Sequence, residues 1–69
     1  MYKNLVAEMS RAGIKSTEMS NILGITLQSF ILKKQGKNEW KLKQMVVMQE
    51  QINQKLNTNY TLDYLFKRD

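Results

Sequence analysis

The chain has 69 residues, 42% hydrophobic and 25% charged, with 11 Lys and Arg against 6 Asp and Glu for a net charge of +5. That length accommodates one small domain, residues 1–69, which buries only about 60% of the surface exposed by its unfolded chain. Without Cys or His it has no disulfide, no thiolate nucleophile, no zinc knuckle and none of the commonest general base.

The acids Glu8, Glu18, Glu39, Glu50, Asp63 and Asp69 are scattered, with no spacing that suits a two-carboxylate hydrolase or a hard-metal site. The expectation is a non-enzymatic domain with no cofactor, no metal and no small-molecule substrate. No stretch approaches the roughly 20 apolar residues of a membrane span, and Met1-Tyr2-Lys3-Asn4-Leu5-Val6 lacks the apolar run of a signal peptide. A cytoplasmic location is expected.

There is no proline, so Gly13, Gly24 and Gly36 are the only strong breakers and the chain is free to be almost all helix. Leu5 and Met9, with Tyr2, Val6 and Ala12, form one apolar stripe and predict a first helix over about 2–12. Ser16-Thr17 can cap a second helix of about two turns that stops at Gly24, a natural left-handed C′ residue. Thr26 is the N-cap of a third helix over about 27–35, and Ile25 packs on Phe30 as a hydrophobic staple. From Trp40, which heads the next segment and covers the core, Leu42, Met45, Val46, Met48, Ile52 and Leu56 recur at helical spacing and predict the longest helix. Asn57-Thr58-Asn59 breaks it. Thr61 then caps a short fifth helix bearing Leu62, Leu65 and Phe66, with Lys67 and Arg68 placed against its carboxyl-end dipole. Met9, Met19, Met45 and Met48 fall on core faces, and the fold class is all-α with five helices.

Two short helices around a Gly24-Ile25-Thr26 turn inside such a domain make a helix-turn-helix arrangement. From Glu18 to Lys37 the chain resembles the Cro/repressor-type, or XRE-like, helix-turn-helix family of temperate phages. Met19, Ser20, Leu23, Gly24, Ile25, Thr26, Phe30, Gly36 and Lys37 carry the resemblance, which extends over nearly the whole chain. It implies a compact lambda-repressor-like domain in a bacterial host and a role in a phage lysis-lysogeny switch. It also implies base-reading positions at Leu27 and Gln28, then Ser29, Ile31 and Leu32, with Ser16 on the second helix. Two departures stand out. Lys15 sits where the family caps the second helix with Ser or Thr, and Lys33 occupies an inward-leaning position usually held by an aliphatic.

Gln28 suits base reading, because glutamine pairs bidentately with adenine, and Ser16, Thr17, Thr26 and Ser29 offer hydroxyls to bases or phosphates. Leu27, Ile31 and Leu32 donate nothing to a base edge. As a contiguous apolar face they fit a protein contact instead. Lys33, Lys34, Lys37, Lys41 and Lys43 lie together, interrupted by Glu39 alone, while residues 16–32 contain no Lys or Arg. Contact of those lysines with four or five phosphates gives a log-log salt slope near −4.

Two functions follow. The first is a regulator that binds operator DNA, as a homodimer if the Tyr60, Leu62, Leu65 and Phe66 tail pairs with its copy rather than packing on its own core. The second is an antirepressor, a modulator of repression that docks Leu27, Ile31 and Leu32 on the cognate phage repressor. A structural or toxin-antitoxin module is a third reading that no residue favours.

Overall fold

In the computed structural model, which describes residues 1–69, five helices follow one another: α1 (Lys3–Ala12), α2 (Ser16–Leu23), α3 (Leu27–Lys34), α4 (Leu42–Leu56) and α5 (Leu62–Leu65). No strand is present. The Cα radius of gyration is 10.7 Å, against about 11 Å for a compact chain of this length.

The helix boundaries have local causes. Thr26 is extended, and its Oγ1 accepts a hydrogen bond from the Ser29 N–H at 3.1 Å, so the N-cap of α3 is the one predicted. Thr61 caps α5 in the same way, accepting from the Tyr64 N–H at 3.1 Å. Lys15 has no side-chain acceptor for the start of α2. There the Glu18 carboxylate takes the Lys15 N–H at 3.4 Å, half of a capping box. Gln44 does the same for Lys41 at the start of α4, at 3.1 Å. That helix begins at Leu42, so Trp40 lies in the loop before it and does not head it.

Gly24 ends α2 at φ 71°, with its N–H on the Asn21 carbonyl. A Cβ there would meet nothing within 4 Å, so the need for glycine is conformational alone. Gly24→Ala is expected to cost about 1–2 kcal/mol, the penalty of a left-handed backbone for an L-residue, read as a lower urea midpoint at unchanged slope.

All five helices contribute to one core of ten buried residues, Leu5, Met9, Met19, Phe30, Met48, Ile52 and Leu65 among them. Four aromatic rings run through it edge to face. Phe30 meets Trp40 at 5.4 Å, Trp40 meets Phe66 at 5.9 Å, and Phe66 meets Tyr2 at 6.2 Å. Such geometry aligns the positive edge of one ring with the negative face of the next, adding about 0.5–1.5 kcal/mol per pair beyond burial. Of the two fates open to the tail, the structure shows packing on its own core, with Leu65 fully buried and Phe66 and Tyr60 partly so.

The apolar periodicity of α4 misplaces two residues. Leu42 is 68% exposed and Val46, one turn further on, is not part of the core, because both lie to one side of the stripe formed by Met45, Met48, Ile52 and Leu56, which do face the core.

Candidate nucleic-acid interface

The tight turn joins the carboxyl end of α2 to the amino end of α3, and the two helices, which carry the candidate residues, pack on each other. Phe30 is fully buried, which fixes the rotation of α3 and leaves Gln28, at its second position, exposed. Thr17 and Thr26 are exposed as well, while Ser16 and Ser29 are half-buried. Leu27 is 39% exposed. Ile31 and Leu32 are half-buried, so the aliphatic face thins toward the carboxyl end of the helix.

The lysines divide into two groups. Lys33 reaches from the last turn of α3 to the loop that follows, its Nζ donating to the Glu39 carbonyl at 2.8 Å and lying 6.0 Å from the Trp40 ring centroid. This accommodates a charged residue at an inward-leaning position, since the stem covers apolar surface while the ammonium finds an acceptor. Lys34 donates to Ser16 Oγ at 3.1 Å and sits 6.0 Å over Phe30. It thereby links the end of α3 to the start of α2, and both residues line a cleft of about 430 Å³ whose other walls are α1 and the α1–α2 turn. Lys37, Lys41 and Lys43 are exposed and are the members of the group that face water.

Two neighbouring features escape sequence reasoning. Arg68 donates to the Gly36 carbonyl and lies 5.8 Å from the Tyr2 ring, so the tail ties down the loop that carries Lys37. Gly36 has φ 82°, and a Cβ there would come within 3.0 Å of the guanidinium. The expectation that Arg68 answers the α5 dipole is replaced by this longer reach. Nothing in the local pattern announces a contact across 32 residues.

The second feature is a buried carboxylate. Glu8 is 1% exposed, accepts from the Tyr64 hydroxyl at 2.8 Å through Oε2, and has the Arg11 Nε at 3.5 Å from Oε1. The hydrogen bond to Glu8 raises the Tyr64 pKa above its ordinary value, with desolvation and the negative charge of Glu8 acting in the same direction. The folded state therefore holds this proton more tightly than the unfolded chain. The stability it contributes is complete below about pH 10 and is lost as the pH rises through the folded-state pKa. Thermal melts from about pH 8 to about pH 11 should show a midpoint falling at the alkaline end. Tyr64→Phe should start lower and lose that part of the pH dependence.

No cluster of three or more Asp, Glu, Cys or His comes together in the fold, and no helix is long and apolar enough to cross a membrane. Family models, curated proteins and solved structures contain no match to this chain.

Proposed function

We propose that this protein is a small transcription regulator of the Cro/repressor helix-turn-helix type that binds duplex DNA with α3 in the major groove. The observation that carries the reading is the rotation of α3. Phe30 faces inward, Gln28 outward, and exposed Lys37, Lys41 and Lys43 follow on the loop and at the start of α4. Gln28 pairs with adenine N6 and N7, the hydroxyls of Thr17 and Thr26 reach bases or phosphates, and the lysines hold the backbone. Neither α3 nor α4 carries an acid in its first turn, which leaves the positive end of each helix dipole open to a phosphate, and Glu39 is the one acid between Lys37 and Lys41.

The test is fluorescence anisotropy at about 50 mM salt with the duplex adjoining its own coding sequence and with a mixed-sequence duplex. Gln28→Ala should bring the two affinities together. Lys37→Ala should weaken both alike and make the log-log salt slope shallower by about 0.9. No binding to either duplex by the parent protein overturns the proposal.

The exposure of Leu27 supports a second reading, the antirepressor that docks the apolar side of α3 on a phage repressor. It predicts that Leu27→Asp abolishes release of the repressor from its operator while Gln28→Ala leaves it intact. A gel-shift series with both proteins present measures this.

A further inference from the structure

A second surface is formed by α2 and the first turns of α4, and neither Gln28 nor Thr17 lines it. Ile22 and Leu23 of α2 face Lys41, Lys43, Gln44 and Val47 across an open groove of about 310 Å³. Ile22 is 43% exposed. Leu42, between the two lysines in sequence, is the most exposed of the large apolar side chains. An aliphatic floor of this kind is a cost to the isolated protein, because it leaves apolar area in water.

The charge around the groove is one-sided. Lys41 and Lys43 are exposed and no carboxylate lines the groove. α4 opens with Lys41 and Lys43 and holds no acid in its first turn, the reverse of what the positive end of a helix dipole favours. The side chain that caps Lys41, Gln44, is neutral, and Glu39, the nearest acid in sequence, is not among the residues lining the groove, so Lys41 and Lys43 are open to carboxylates of a partner. The volume is at the low end for small-molecule pockets, about 300–1,000 Å³, and suits an anchoring side chain better than a whole ligand.

From this pairing we infer that the α2–α4 groove docks an acidic protein segment, with an aliphatic side chain of the partner on Ile22, Leu23 and Val47 and its carboxylates on Lys41 and Lys43. A nucleic acid would use the lysines and gain nothing from the aliphatic floor. A second copy of this chain brings another charge of +5, and like charges facing one another oppose that pairing. The inference does not depend on the DNA-binding reading. If both hold, the acidic segment and the DNA backbone compete for Lys41 and Lys43.

The probe is a fluorescein-labelled peptide of Glu and Leu, with leucines at helical spacing, beside a control peptide with every Leu replaced by Asn. Titration with the whole protein at about 50 mM salt should show binding of the Leu peptide and at least tenfold weaker binding of the control. Amide NMR shifts should cluster at Ile22, Leu23, Lys43, Gln44 and Val47. Ile22→Asp should weaken the Leu peptide at least tenfold, and Lys43→Glu, on the exposed side of α4, provides the same readout should Ile22→Asp fail to fold. Equal binding of both peptides, no shifts at these residues, or a parent protein that sediments as a dimer dissociated by Lys43→Glu would each overturn the inference. A mixed-sequence DNA duplex producing the same shifts, lost in Ile22→Asp, would overturn it in favour of nucleic acid.

Discussion

Phe30→Ala is expected to remove about half of the domain's stability. Phe30 is fully buried, and removing a buried phenylalanine costs about 3–5 kcal/mol through lost transfer energy and the cavity left behind. A domain of 69 residues has only about 3–10 kcal/mol of total stability, at about 0.05–0.15 kcal/mol per residue. The loss extends beyond one side chain, because Phe30 is the first ring of the column that continues through Trp40 and Phe66 to Tyr2. Trp40 is the only tryptophan and is buried, so its emission reports the transition directly. The parent should give a blue-shifted spectrum that moves red in a cooperative urea transition. The variant should pass through the same transition at about half the parent's urea midpoint. A variant whose midpoint moves by less than a quarter of the parent value would show that neighbouring side chains collapse into the space.

The second large effect concerns binding. Replacing Lys37, Lys41 and Lys43 together by alanine is expected to weaken mixed-sequence duplex DNA about a hundredfold at low salt, at up to about 1 kcal/mol for each exposed ion pair. The log-log salt slope should become shallower by about 2.7, with about 0.9 for each phosphate no longer neutralised. All three side chains are exposed, so circular dichroism and the urea midpoint should not change. Lys33→Ala is the informative contrast. That ammonium holds the Glu39 carbonyl and lies over Trp40, so its loss should register in stability more than in salt dependence. A parent slope retained by the triple variant would remove the lysine stretch from the interface.

Residues whose structural role is decided within one helical turn could be read from the sequence. The Thr26 cap, the inward Phe30, the Gly24 stop and the buried methionines are of this kind, since each depends on neighbours three to five positions away. The rest depends on what the tertiary fold brings alongside. The burial of Glu8 is stabilised by a tyrosine 56 positions away, and the Gly36 carbonyl is held by an arginine from the tail. Neither is written in periodicity. Lys33 and Leu42 mark the limit from the other side. A long cationic stem can cover apolar surface from an inward-leaning position, and a leucine can keep helical spacing while standing beside the stripe that faces the core. The candidate interface divides in the same way. Gln28 and the cap follow from the turn, but only the folded chain shows which lysines are engaged internally and which remain free.

The ring column also has a consequence for timing. Phe30 is held by Trp40, and Trp40 in turn by Phe66, so the α2–α3 pair lacks its full support while the chain is still being made. Synthesis proceeds at about 5–20 residues per second, and the segment from Phe30 to Phe66 takes a few seconds to follow. During that interval α2 and α3 are short helices of eight residues each, too short to persist alone in water. The surface that presents Gln28 therefore takes shape only once the α5 region has left the ribosome, and a nascent chain halted before Phe66 would not present it.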